Sequence, residues 1–284
     1  MITWLSSYPK SGNTWLRTFL TNYFRDANEP ADINKLDGGP IASSRFWFDE
    51  WAGIEASLLP DDLIECLRPD VYRCLVRESP DTIYMKNHDA WKITENGEGL
   101  FPLDVTAGVI YVIRNPLDMV MSCANHYGVD AEKSVENLCN PDFAIARTAG
   151  GITDQLRQFL GSWSDHIRSW VDESGLPLHL VRYEDMKMDP EREFGEIIRF
   201  CGLPYSPARL QKAVAFSGFD LLKKQEQEKG FRERPGRSKG GFFRNGRQGG
   251  WRDELTAQQV QRIIDVHHET MLRFGYLDEN LQPL

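Results

Sequence analysis

A lysine, a glycine and two hydroxyls crowd one short turn near the start of the chain, Tyr8-Pro9-Lys10-Ser11-Gly12-Asn13-Thr14-Trp15. Residues of these types make an anion cradle: Gly12 lets the backbone approach closely, several N–H groups face one point, and Lys10 adds a full positive charge. Farther on, Lys86 and His88 stand two residues apart, so alternation along a strand points both side chains to one side. An imidazole in that position is a candidate proton acceptor at neutral pH. Arg114 closes an apolar run and offers a planar fork that suits a phosphate, with Ser122 on the element that follows. The stretch Phe242-Phe243-Arg244-Asn245-Gly246-Arg247-Gln248-Gly249-Gly250-Trp251 combines Arg with Gly, as a backbone anion site requires. Each feature also has a plain reading: a Gly-Asn turn capping a helix, a structural histidine, an arginine in a surface ion pair, a solvated loop. The lysine and two hydroxyls in one turn favour a phosphate site over the turn alone.

The elements that must hold these groups show as switches of hydrophobic period. Ile2 to Leu5 reads as a strand, and Leu16, Phe19, Leu20 and Tyr23 recur on one face of a helix after the turn. Thr82 to Lys86 is a β-rich run that delivers Lys86, Asn87 and His88 to its end. Gly108 to Ile113 is a buried strand, after which Asn115 caps and Pro116 opens a helix through Leu117, Val120, Met121 and Ala124. An amphipathic helix is expected from Ile152 to Val171, carrying Leu156, Phe159, Leu160, Trp163, Ile167 and Trp170 as scaffold. Leu178 to Arg182 is a strand ending in Tyr183, Glu184 and Asp185. Asp189-Pro190 then starts a helix that Gly202 ends, and Thr256 with Gln259 forms a capping box for a last helix reaching Gly275. Alternating strands and helices predict an α/β fold, a single domain over 1–284 with a central parallel sheet flanked by helices and a P-loop-like phosphate-binding turn. In such a sheet the carboxyl ends of the strands face the ligand crevice.

Two segments lack a period. Ala27 to Pro60 reads as irregular, and its Phe46, Trp47, Phe48 and Trp51 either cap the core or line an apolar ligand pocket. Gln225 to Trp251 reads as a solvated flap that orders on an anionic ligand. Between Lys223 and Arg252 ten Lys/Arg stand against three Glu, in a chain whose formal net charge is −9. That balance excludes a general nucleic-acid binder and implies a local anionic ligand. No apolar run is long enough for a membrane span, and the first strand begins at once, so neither a span nor a signal peptide is expected. The five cysteines are scattered without metal-ligand spacing, which fits a reducing cytoplasm and no metal.

The ordered set of motifs resembles the sulfotransferases that use 3′-phosphoadenosine 5′-phosphosulfate (PAPS), the cytosolic type in particular. Tyr8 to Leu16 is similar to the family's phosphosulfate loop YPKSGTTW. Arg114-Asn-Pro-Leu-Asp-Met-Val-Met-Ser122 is similar to its RNxxDxxxS motif, and Arg244 to Trp251 to its RKGxxGxW segment. Lys86-Asn-His88 is similar to its KTH step and Tyr183-Glu-Asp-Met to its YEDM. The resemblance implies that Lys10, Ser11, Gly12, Asn13 and Thr14 hold the 5′-phosphosulfate end. It gives the 3′-phosphate to Arg114, Ser122, Arg244, Asn245 and Gly246, and the adenine to Trp15, Phe219 and Tyr183. It makes His88 the general base, with Lys10 and Lys86 stabilising charge without metal, and the partner a small-molecule hydroxyl acceptor. Asn13, Asn87 and Asn245 depart from the family's Thr, Thr and Lys, the last with the loss of one positive charge. The family's dimer motif KxxxTVxxxE falls on Arg252 to Gln261, where only Thr256 survives, so the oligomeric state stays open.

Two other readings compete. A P-loop kinase needs GxxxxGK[ST] and magnesium, but Lys10 precedes Gly12 and no glycine lies upstream. A nucleotide-binding module without transfer would not need both Lys10 and His88.

Overall fold

In the computed structural model, which describes residues 1–146 and 153–284, the apolar runs pair edge to edge. Strands β1 (Ile2–Ser7), β2 (Ile83–Asn87), β3 (Thr106–Ile113) and β6 (Leu178–Arg182) form a parallel sheet in the order β2-β1-β3-β6. A short antiparallel pair, β4 (Ala144–Ile145) and β5 (Gln158–Phe159), lies apart from it. Every residue of β1 is buried, as a strand covered on both faces must be.

Alternation along the strands divides the core in two. Leu5, Ile110 and Val112 face α1 (Asn13–Arg25), α8 (Pro190–Phe200) and α9 (Pro207–Phe216), meeting Leu16, Phe19, Phe194, Ile197 and Leu210. Trp4, Val109, Tyr111 and Ile113 face the other way. There they join α2 (Arg45–Ala52), α3 (Asp61–Glu78), α4 (Pro116–Tyr127), α5 (Ala131–Cys139), α6 (Trp163–Arg168) and α12 (Ala257–Arg273). The short α7 (Tyr183–Met188) follows β6 directly, α10 (Phe219–Lys229) precedes the Gly/Arg-rich segment, and α11 (Trp251–Glu254) follows it. The capping box at Thr256 and Gln259 is present, as is the Asn115 cap ahead of Pro116.

The chain passes from β1 to β2 on one side and to β3 on the other. β1 is therefore where the strand order reverses, and the crevice beyond its carboxyl end is where such sheets bind ligands.

Three expectations need correction. The stretch from Ala27 to Pro60 is not irregular throughout, because Ser44 caps α2 by accepting from Trp47 N. On that helix Phe48 is buried and Trp47 and Trp51 pack against the main core, so three of the four aromatics serve the core, while Phe46 is 69% exposed. The helix expected from Ile152 to Val171 begins only at Trp163, and Ile152 itself lies outside the described residues. Before it, Phe159 pairs with Ala144 in β5, Gly161 takes φ 65°, and Ser162 caps by accepting from Asp165 N. Leu156, Leu160, Trp163, Ile167 and Trp170 are nevertheless all buried, so the period found the core positions but not the conformation. The segment from Gln225 to Trp251 starts inside α10, and its Phe231 and Phe243 bury against Leu222 and Ile33 in a small core of their own. Among the described residues no helix is long and apolar enough to cross a membrane.

Candidate active site

A cavity of about 790 Å³ opens at the carboxyl ends of the sheet strands. It is lined by every residue that the resemblance gave a catalytic or cofactor-binding role except Ser11 and Asn245. Lys10 follows β1, Lys86 and His88 end β2, Arg114 follows β3 and Tyr183 follows β6, so the sheet gathers residues far apart in the chain.

The turn after β1 is held open by its backbone. Lys10 and Gly12 both take positive φ, 72° and 112°. A Cβ on Gly12 would lie 2.7 Å from Cδ2 of Tyr183, so any other residue there meets the ring as well as strain. Gly12 is the N-cap of α1 and brings no side chain to its first-turn N–H groups, which leaves the positive end of the helix facing the cavity. The two side chains next to it point inward. Ser11 Oγ turns to Sδ of Met119 at 3.6 Å, and Asn13 Nδ2 donates to the carbonyl of Leu5 at 2.7 Å and to Ser7 Oγ at 3.3 Å. Asn13 ties the loop to β1 and Ser11 ties it to α4, while the backbone, Lys10 and Thr14 face the cavity. Lys10 Nζ sits 3.2 Å from the ring centroid of Phe242. Burial, reinforced by Lys86 and Arg114, pulls its ammonium down to about 7, the electrostatic signature of a site short of negative charge.

At the end of β2, Nδ1 of His88 lies 2.8 Å from the carbonyl oxygen of Ser7. Burial, and then the Lys86 charge, hold this imidazole well below its ordinary range. Its main chain is fixed too, since His166 Nε2 donates to His88 O at 3.0 Å while Tyr111 Oη donates to His166 Nδ1 at 2.7 Å. Asn87 points into the protein, donating to Asp89 O at 3.1 Å and accepting from Asp89 N at 3.1 Å. Asp89 in turn makes a buried bidentate pair with Arg68 at 3.1 and 2.8 Å. Asn87 therefore shapes the turn beneath His88 and has no place in the cavity. Lys86 Nζ is 2.8 Å from Oε2 of Glu233, whose Oε1 is 2.5 Å from Arg17 Nη1. Burial works against the Glu233 carboxylate, but Lys86 and Arg17 outweigh it and hold its pKa far below the usual range.

Arg114 reaches back to the first turn, with Nη1 3.1 Å from Lys10 O and its guanidinium 4.4 Å above the Tyr183 ring. Its Nε is buried without a partner. Trp15 stands edge-on to Tyr183 and Phe194. Gly246 takes φ 57°, and a Cβ there would lie 2.7 Å from the Phe219 ring, so the Gly/Arg segment packs directly on that aromatic. Arg244 forms a bidentate pair with Glu254, its Nη2 2.9 Å from Oε2, and Asn245 is exposed outside the cavity.

Three carboxylates that sequence reasoning did not single out fasten these loops. Asp118 accepts from Gly249 N at 2.7 Å and Trp251 N at 3.2 Å. Glu184 accepts from Asn115 N at 2.9 Å and Tyr276 Oη at 3.0 Å. Glu226 accepts from Phe242 N at 2.6 Å and Phe243 N at 2.9 Å. Asp118 and Glu184 sit inside the motifs, and acids amid anion-binding segments are the signal that could have found them.

The sulfotransferase domain family model matches residues 2–275. Sulfotransferase 2A6 of Rattus norvegicus is 27% identical, over 95% of this chain and 84% of its own. Sulfotransferase 2B1 of Homo sapiens is 28% identical over 93% of this chain, which spans 64% of that protein's length. Among solved structures, retinol dehydratase in complex with androsterone and inactive cofactor PAP superposes with a TM-score of 0.62 at 17% identity, covering 95% of this chain and 80% of its own. Mouse sulfotransferase SULT7A1 complexed with PAP gives 0.60 at 20% identity, covering 95% and 84%. With the anion turn at the switch point, the histidine beside it and a family model that spans nearly the whole chain, this protein belongs to the sulfotransferase domain family.

Proposed function

We propose that the protein binds PAPS in this cavity and transfers its sulfuryl group to a hydroxyl of a small acceptor, with His88 as general base, as one domain over 1–284. The carrying observation is His88 itself: a part-buried imidazole on the cavity wall, held at Nδ1 by Ser7 and depressed in pKa by burial and by Lys86.

The residues fit the co-substrate. The uncapped start of α1 and the cradle at Gly12 suit a phosphate, and the orphaned Nε of Arg114 awaits an acceptor. Lys10, Gly12, Thr14 and the first-turn N–H groups would hold the 5′ end, and Arg114, Ser122, Arg244 and Gly246 the 3′-phosphate. Asn13 and Ser11 act from behind as ties of the loop. Trp15, Tyr183 and Phe219 would hold the adenine. When bound, PAPS supplies the sulfuryl group and a bisphosphate leaving group. Nε2 of His88 takes the acceptor's hydroxyl proton, Lys10 and the α1 terminus face the charge that develops on the leaving phosphate, and Lys86 faces the sulfuryl oxygens. The PAP named in two structurally similar proteins supports the same assignment. Five free cysteines suit a reducing cytoplasm as its compartment.

The test is a thermal shift with PAP followed by transfer from sulfur-labelled PAPS across an acceptor panel, read by product mass. Arg114→Ala should weaken PAP by roughly 1.5–3 kcal/mol, the loss of a charged hydrogen bond. PAP binding with no transfer to any hydroxyl would leave a nucleotide-binding module instead.

A further inference from the structure

The cavity carries more positive charge than the reading above assigns to PAPS, and the present inference rests on that reading. With Lys10, Arg114 and Arg244 given to the nucleotide, the wall beside Lys86 is built by the strap 230–241. One end of the strap is tied to Asn34, whose Oδ1 accepts from Arg232 N at 2.8 Å. The other is tied to the end of α4, where Lys239 N donates to Asn125 O at 3.3 Å and Lys239 Nζ to Val129 O at 3.1 Å.

Glu233 turns inward from this strap and is fully engaged by Lys86 and Arg17. Arg232, Arg234 and Arg237 line the same cavity, are exposed to solvent, and make no ion pair among the described residues. Arg237 is further oriented by the Tyr127 ring, 5.6 Å from its guanidinium. Of the aromatics that would have made an apolar pocket, Trp47, Phe48 and Trp51 are spent on the core and Phe46 faces solvent, and none of the four lines the cavity.

We infer that the acceptor is itself an anion: a hydroxylated molecule bearing a carboxylate, phosphate or sulfate group, held by Arg232, Arg234 and Arg237 while its hydroxyl faces His88. Guanidinium forks match all three groups bidentately, and exposed cations at a cavity mouth raise the local concentration of an anionic substrate in a salt-dependent way. Glu233 sits between Arg232 and Arg234 in the chain and, by pairing with Arg17, keeps that guanidinium from competing for the anion.

Calorimetry on the PAP-loaded protein tests this with two matched pairs, 4-hydroxybenzoate against 4-hydroxybenzamide and glucuronate against glucose. In at least one pair the acid should bind about tenfold or more tightly than its neutral partner at low salt. That preference should shrink in high salt and fall toward one in the Arg232→Gln/Arg234→Gln/Arg237→Gln variant, with PAP affinity retained. Equal affinities within both pairs would overturn the inference while leaving sulfuryl transfer standing. A variant that loses PAP affinity in place of the acid preference would also overturn it, by giving the three arginines to the nucleotide. Failure of PAP to bind the wild-type protein would instead remove the parent reading, and this inference with it.

Discussion

Nδ1 of His88 lies 2.8 Å from the main-chain oxygen of Ser7, the last residue of the neighbouring strand β1. A carbonyl oxygen only accepts, so Nδ1 carries the proton and Nε2 keeps its lone pair. The register that brings Ser6 opposite Asn87 puts the strand end and the histidine side by side. The strand that leads into the anion turn thereby also sets the tautomer of the base.

His88→Ala should lower kcat by roughly 10²–10⁴-fold, the usual contribution of a positioned base, and leave PAP affinity nearly unchanged. Because burial and Lys86 depress its pKa below 6.5, the base stays unprotonated as pH falls through 6.5, and the acid limb of the wild-type pH profile should begin lower. An inflection at or above 6.5, or an active alanine variant, would take His88 out of the mechanism.

Lys10 should gain a proton when PAP binds. Its pKa is pulled down to about 7 in the free protein, so at pH 8 the amine is largely neutral, and an incoming phosphate raises its pKa and draws a proton from buffer. Binding enthalpies at pH 8 in buffers of different ionisation enthalpy should therefore differ in the sense of proton uptake, and Lys10→Met should remove most of the difference. Buffer-independent enthalpies in the wild type would refute the assignment.

Arg68→Met should cost about 3–5 kcal/mol of stability, because it leaves the Asp89 carboxylate buried without its bidentate partner. The measurement is the urea midpoint, with Arg68→Met/Asp89→Leu recovering most of the loss. If the double variant is no more stable than the single one, the damage comes from packing at Tyr72 and Phe101 rather than from the stranded charge.

Much of this was legible in the chain. Lys10, Gly12 and Thr14 could be read because a backbone anion site needs a local sequence, and Arg114-Asn115-Pro116 because a strand end, a cap and a helix start are consecutive. Short-range order also announced strands over 82–86, 108–113 and 178–182, found at 83–87, 106–113 and 178–182, and the capping box at Thr256. Period alone misled between Leu156 and Leu160, where residues buried at helical spacing are extended instead: a glycine at positive φ and a two-residue strand partner decide the conformation.

What the sequence by itself determined, then, is the set of candidate reacting and binding groups, the parallel sheet and the family, since these follow from residue types, spacing and hydrophobic period. Only the tertiary structure decided which way polar side chains face. Asn13 turns back to β1, Ser11 to Met119 of α4, Asn87 to the turn below His88, and Trp47, Phe48 and Trp51 to the core. It alone brought Glu233 to Lys86 and Arg17, and the strap's arginines to the mouth beside His88. For Glu233 and the strap the physical reason is distance along the chain: an ion pair spanning more than a hundred residues leaves no periodic trace, and appears only once the sheet has folded its strand ends together.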